Sequence, residues 1–296
     1  MNIRSLLLKE DLNFLLTNRV PRLALTRFMG WYASIRSPWL TRFSIAVWKL
    51  FSELDLKESR EQTFESLRDC FIRELRPGLR PIDRSPGVWS SPCDAVVGMH
   101  GEVREGTVFQ AKGFPYTLKE LLGDVALAES LEGSPYVTLR LLSSMYHRFH
   151  SPADMRLREV IYHSGDTWNV NPIALSRVEK LFCRNERAVL RFDVPGAATS
   201  MVLVPVAAIL VASMRIHAID RQLHRGYKGP RRLNCDVGCT QGEELGWFEH
   251  GSTILVFLPR ECTLRADLHP GMRLRMGEKL CCHPFDTQSS SMLQGA

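Results

Sequence analysis

A change of texture at Pro77 constrains the fold of this chain more than any other feature. Before it, apolar residues recur three and four positions apart, as in Leu12, Leu15 and Leu16 and again in Phe64, Leu67 and Phe71. That spacing lines one face of a helix. Pro21 and Pro38 divide the segment into short helices, because a proline ring clashes with the preceding turn. After Pro77, Gly78, Pro81, Pro86, Gly87, Pro92 and Gly98 punctuate short strand-like runs. Strands are predicted at Ala95–Val97, Val137–Leu142, Val189–Phe192, Met201–Val204 and Thr253–Leu258. One short helix is predicted over Leu118–Leu122, after Thr117. The expectation is an α+β chain: a helical segment over 1–76, a β-rich body over 77–285 and a polar, flexible tail over 286–296.

The charge is as uneven as the texture. Of 296 residues, 45% are hydrophobic and 24% charged, which rules out bulk disorder. Residues 1–50 hold eight basic side chains and only Glu10 and Asp11 as acids, so the whole formal net charge of +6 lies there. Trp31, Trp39 and Trp48, half of the six tryptophans, share that segment with Phe14, Phe28, Phe43 and Tyr32. Cations interleaved with amphipathic rings suit the headgroup zone of a bilayer. A single-stranded nucleic acid or a merely solvated basic edge are the rival readings.

No transmembrane span is expected. The longest apolar stretch, Val202 to Ala212, is eleven residues interrupted by Pro205, and a spanning helix needs about twenty. Met1 to Ala24 lacks the hydrophobic run and cleavage site of a secretory signal. A cytosolic chain with reduced cysteines is therefore expected. Cys235 and Cys239, and Cys281, Cys282 and His283, lack a zinc-site frame, so no metal is expected.

Three places hold residues suited to chemistry. Tyr146-His147-Arg148-Phe149-His150-Ser151-Pro152 carries two histidines three apart. A histidine near its ordinary pKa serves as base, acid or ligand. His250-Gly251-Ser252-Thr253 precedes the apolar run Ile254–Leu258, and the Gly-Ser step permits tight backbone geometry. Ser91-Pro92-Cys93-Asp94 places a carboxylate after a turn. Asp94, His150 and Ser252 are thus candidates for a triad, which only geometry can establish.

Taken in order, the motifs resemble one family. They are "LTRFMGWYASIRSPWLTRF" from Leu25, "RELRPGLRPID" at 73–83, "SPCDAVVG" at 91–98, "QAKGFPYTLKELL" at 110–122 and "YHRFHSP" at 146–152. "VNPIAL" at 170–175, "LFCRNERAVL" at 181–190 and "GEELGWFEHGSTILVFLP" at 242–259 follow. Their order and spacing, across nearly the whole chain, resemble the pyruvoyl-dependent phosphatidylserine decarboxylase proenzymes, in particular the bacterial membrane-peripheral type.

The resemblance implies a chain that cuts itself between Gly251 and Ser252. The β chain would end at residue 251 and the α chain would begin at 252. Ser252 would attack the Gly251 carbonyl and end as a covalent pyruvoyl group, with His150 as base and Asp94 as the carboxylate that orients it. The pyruvoyl carbonyl would condense with the headgroup amine and take up the electrons left as carbon dioxide departs. His147 is the candidate for returning a proton to the α-carbon. The partners implied are phosphatidylserine in anionic membranes and the chain's own two fragments as a heterodimer, with homo-oligomers left open and nucleic acid not expected. The expected place is peripheral, on the cytoplasmic face of the cell membrane.

Four positions depart from the family pattern: His250 where an aliphatic residue is usual, Ala95 for Gly, Met145 for Asp and Gln241 for Lys. The rival functions are an uncleaved serine hydrolase built on Asp94, His150 and Ser252, and an inactive lipid-binding homologue.

Overall fold

The computed structural model describes residue 14 and residues 21–110, 114–209, 213–219, 222–224, 226–249 and 252–284. The predicted spacing at Leu12, Leu15 and Leu16 and the predicted tail at 286–296 lie outside the described residues.

Among the described residues the N-terminal segment holds the helices α1 (Arg22–Ala33), α2 (Pro38–Phe51) and α3 (Leu67–Phe71). Their boundaries follow local chemistry. Ser37 caps α2, accepting a hydrogen bond from Leu40 N, and Pro38 occupies the first turn, where its missing N–H costs nothing. Ser66 and Asp69 form a reciprocal capping box that starts α3. Phe64 therefore lies outside the helix its spacing suggested, and residues 52–66 are non-helical.

Twelve strands build the two main sheets: β1 (Ala95–Glu102), β2 (Pro135–Leu141), β3 (Arg148–His150), β4 (Met155–His163), β5 (Arg187–Asp193), β6 (Met201–Ala207), β7 (Ser213–Ile216), β8 (Gln222–His224), β9 (Arg232–Cys239), β10 (Glu244–Phe248), β11 (Ser252–Phe257) and β12 (Arg273–Leu274). Eight run antiparallel in the order β9-β4-β5-β6-β11-β2-β1-β12, and four in the order β8-β7-β10-β3. Every residue of β6 and β11 is buried. Both strands are central, which explains why they read as continuous apolar runs rather than alternating ones. The predicted helix Leu118–Leu122 forms, capped by Thr117.

One strand extends further than expected. The predicted strand Met201–Val204 ends earlier than the observed β6, which runs through Pro205 to Ala207. Pro205 is registered with Ile254 on the β11 side. On the β5 side the paired residues pass from Arg187↔Val206 to Leu190↔Leu203 and skip the proline. The missing N–H thus falls where the ladder is interrupted. Ala95, which replaces a usual glycine, opens β1 and is not among the residues with positive φ, so the side chain costs no strain there.

The helical segment is tied to the body at several points. Arg22 pairs with Asp166 at 2.7 Å and lies over the Trp168 ring at 3.7 Å. Trp48 stacks on Phe71, whose ring is 4.0 Å from that of His147.

Candidate active site

His150 is the last residue of β3 and is registered with Glu244 of β10. The ladder is irregular between Glu244 and Gly246. Gly246 has no alternative there, since a Cβ would lie 2.0 Å from the Arg215 carbonyl oxygen. Just upstream, Gly242 adopts φ +85°, a conformation that favours glycine. Its carbonyl oxygen lies 3.0 Å from His150 Nδ1. A carbonyl only accepts, so Nδ1 carries the proton and the lone pair sits on Nε2. That lone pair accepts from the Tyr146 hydroxyl at 3.0 Å. Burial holds the imidazole pKa below its ordinary value of 6.5, against smaller opposing effects of the Gly242 contact and the Glu244 and Asp94 carboxylates. The ring is therefore neutral at pH 7 and carries a basic Nε2. Burial also pushes the Tyr146 hydroxyl pKa up, so it remains a proton donor.

Asp94 does not make the contact a conventional triad requires. Its oxygens accept from Arg80 Nε at 2.8 Å, Arg80 Nη2 at 2.5 Å and Met276 N at 2.9 Å. No Asp94–His150 hydrogen bond occurs among the described residues. Instead the Asp94 loop grips the histidine through the backbone, His150 N donating to Pro92 O at 2.8 Å. Asp94 and Tyr146 line one cavity of about 300 Å³, together with Arg73 and Arg80. Asp94 thus reaches His150 through its field and through the loop it anchors.

This geometry predicts what Asp94→Asn does. The Arg80–Asp94 pair is almost enclosed, at 7% and 10% exposure of the two side chains. Breaking a buried ion pair from one side costs about 3 kcal/mol. The urea midpoint should fall accordingly. An unchanged midpoint together with lost processing would instead make Asp94 a direct chemical participant.

His147 is fully buried immediately before β3, with Nδ1 2.8 Å from Met145 O. By the same reasoning Nδ1 carries the proton. No hydrogen bond links His147 to His150 among the described residues; the two rings are held by different neighbours, Phe71 and Tyr146.

Ser252 is the first residue of β11, between Leu141 of β2 and Ala207 of β6. It is fully buried, and its Oγ has no hydrogen-bond partner among the described residues. No hydrogen bond between Ser252 and either histidine occurs among the described residues, and His250 and Gly251 lie outside them. Two residues upstream of Gly251, Glu249 is held by Arg68 of α3, by Ser213 Oγ at 2.5 Å and by Gln222 Nε2 at 2.8 Å. The chain entering the Gly-Ser step is thereby fixed at Glu249.

Tyr146, Gly242, Arg80 and Glu249 were not anticipated as site residues. Tyr146 carried a signal, standing four positions before His150 in the same motif. Arg80 and Glu249 carried none, because their partners are remote in sequence. Gln241, which departs from the family's lysine, donates to the Asp83 and Val88 carbonyls. His283 stacks on Trp89 with centroids 4.7 Å apart, and all eight cysteines are free thiols. Among the described residues no three His, Cys, Asp or Glu side chains converge as metal ligands.

The site thus offers a buried serine heading a central strand, behind a Gly-Ser junction, and a neutral histidine with its lone pair held on Nε2. The sequence profile of a family described as phosphatidylserine decarboxylase matches residues 67–282, and a second, described as PSD, matches residues 12–47. The phosphatidylserine decarboxylase proenzymes of Yersinia pestis strain Pestoides F and Yersinia pseudotuberculosis serotype O:1b are each 33% identical over 290 residues, covering 92% of this chain and 95% of theirs. The chain belongs to the phosphatidylserine decarboxylase family, which are carboxy-lyases.

Proposed function

We propose that this chain removes carbon dioxide from phosphatidylserine to give phosphatidylethanolamine, after cutting itself between Gly251 and Ser252. The observation that carries the reading is Ser252, whose Oγ is buried and without a hydrogen-bond partner among the described residues, at the head of a central strand. A buried hydroxyl left unsatisfied is costly, and attack on the preceding carbonyl gives it a use.

In the cut, Ser252 Oγ bonds to the Gly251 carbonyl carbon and its proton passes to a base. His150 Nε2 holds a lone pair suited to that role once Tyr146 yields it. The Gly251 C–N bond then breaks and leaves an ester on Oγ. Loss of the Ser252 Cα proton expels the residue-251 carboxylate, and hydrolysis of the dehydroalanine releases ammonia. The pyruvoyl group so formed on residue 252 acts as an electron sink for decarboxylation. His147, fully buried beside the same motif, is the candidate to return a proton to the substrate carbon. A conventional hydrolase triad gains no support, because Arg80 and Met276 occupy the Asp94 oxygens. The deciding measurement is the intact mass of purified protein, expected as two fragments meeting at Gly251–Ser252, the smaller one without a free α-amine. A single full-length mass in active protein overturns the reading.

The lipid substrate accounts for an unusual surface. Helix α2 buries Thr41 toward the body but exposes Trp39 (77%), Phe43 (59%) and Leu50 (64%), with Val47 between them. These positions fall on one stripe at helical spacing. On α1, Trp31 and Phe28 are exposed with centroids 5.7 Å apart. Water-facing aromatics in such a row mark a docking face. Arg27, Arg36 and Arg42 are exposed in the same segment, suited to anionic lipid. No helix among the described residues is long and apolar enough to cross a membrane. Peripheral attachment to the cytoplasmic face fits these features. Neutralising Arg27, Arg36 and Arg42 together is expected to weaken co-sedimentation with anionic vesicles, most strongly at low salt. Unchanged binding sinks this assignment.

A further inference from the structure

We propose that Arg140, in the cavity at the end of the central sheet, forms the subsite for the phosphodiester anion of the substrate headgroup. This inference rests on the preceding reading of the reaction.

The cavity, of about 280 Å³, is lined by Arg140, Leu142, Ser143, Asn169, Asn171 and Ala208, among others. It lies at the end of the sheet where Ser252 sits. Leu141 and Ala207 flank Ser252 in register, and Leu141 and Ala208 both line the cavity. Arg140 is registered with Thr253, so the pleat directs it to the face opposite the Ser252 side chain. The cavity takes in four consecutive residues, 140–143, and so reaches around the strand end. Cutting the chain would make residue 252 a terminus at this same end.

Arg140 differs from the enclosed guanidiniums. Arg187 donates to the Leu121, Cys183, Asn185 and Glu120 carbonyls, and Arg73 to the Cys70, Ser144 and Met145 carbonyls. Arg80 and Arg148 hold carboxylates. The half-buried Arg140 side chain makes no hydrogen bond or ion pair with any described residue, and burial alone lowers its pKa. A part-buried cation without a protein partner carries a desolvation cost that a bound anion would relieve. It remains charged, and it brings to the cavity a rigid fork of donors that suits an anion.

The substrate carries two anions, a carboxylate and a phosphodiester. Decarboxylation drives electrons out of the carboxylate, and a guanidinium clamped there would stabilise the ground state against that loss. The phosphodiester keeps its charge from substrate to product and is separated from the reacting amine by a two-carbon unit. Gripping it binds ground state and transition state alike, so its loss is read in KM rather than kcat.

The test uses the full processed enzyme with phosphatidylserine in detergent micelles, and phosphatidylethanolamine as inhibitor. Arg140→Met is expected to raise KM about 10- to 100-fold with kcat little changed, the scale of a charge-assisted hydrogen bond. Phosphatidylethanolamine has the phosphodiester and no carboxylate, so its inhibition constant should rise by the same factor. Arg140→Lys should recover part of both. An unchanged KM overturns the subsite. A raised KM with unchanged product inhibition also overturns it, by placing Arg140 on the carboxylate. Where the Met variant does not process, binding of phosphatidylethanolamine micelles to the Lys variant and to wild type reads the same site. A wild-type chain that is never cut removes the preceding reading instead, while the micelle comparison still decides Arg140.

Discussion

Ser252→Ala should leave a single full-length chain with decarboxylase activity at background. The alanine keeps the β11 backbone and removes only the Oγ that attacks Gly251, so the fold is expected to persist. Ser252 is packed between Leu141 and Ala207 with an unsatisfied hydroxyl. Losing that hydroxyl is close to neutral for stability or slightly favourable. An intact, stable and inactive protein is thus the expected combination. Intact mass and thermal unfolding measured on the same sample check it. Cleavage at residue 251 in the alanine variant, or full activity from the uncut chain, would defeat the assignment of Ser252.

His150→Ala should slow the cut by about 10²- to 10⁴-fold, the usual contribution of a positioned base. A time course of the two fragments on a denaturing gel reads this directly. The pH dependence follows from burial. The folded pKa of His150 lies below 6.5, so the base stays neutral to lower pH than a free imidazole. The acid limb of cleavage should therefore have its midpoint below pH 6.5. The unfolded chain binds the proton first in that window, so the His150 contribution to stability is complete above pH 6.5 and is lost as pH falls. Wild-type cleavage rates in the alanine variant would remove His150 from the mechanism. An acid limb above pH 6.5 would contradict the neutral, buried ring.

The central strands illustrate what local pattern conveys. The runs Met201–Val204 and Thr253–Leu258 were readable because strands buried on both faces need no polar alternation. The Thr117 cap and the helix Leu118–Leu122 were readable for an equally local reason, a side chain satisfying the first turn. Phe64 misled, since a three-and-four spacing continues into non-helical backbone where the Ser66–Asp69 capping box starts the helix. The predicted strand Met201–Val204 errs in the other direction, ending short of Pro205. A proline is tolerated in a central strand when its missing N–H meets a gap in one ladder, and that gap lies with β5, far away in sequence.

The same division runs through the site. Composition and order along the chain determined the α+β class, the concentration of the basic and tryptophan residues in the first fifty positions, and the candidate residues Asp94, His147, His150, Gly251 and Ser252. Each depends on residue type and near-neighbour spacing, which sequence carries explicitly. Only the tertiary structure decided that Asp94 is held by Arg80, that Tyr146 and Gly242 set the His150 tautomer, that the α2 rings face outward and that the Arg140 side chain has no hydrogen-bond or ion-pair partner among the described residues. The physical reason is that hydrogen-bond partnership and burial arise between segments tens to hundreds of residues apart. They become defined only when the sheets bring those segments together.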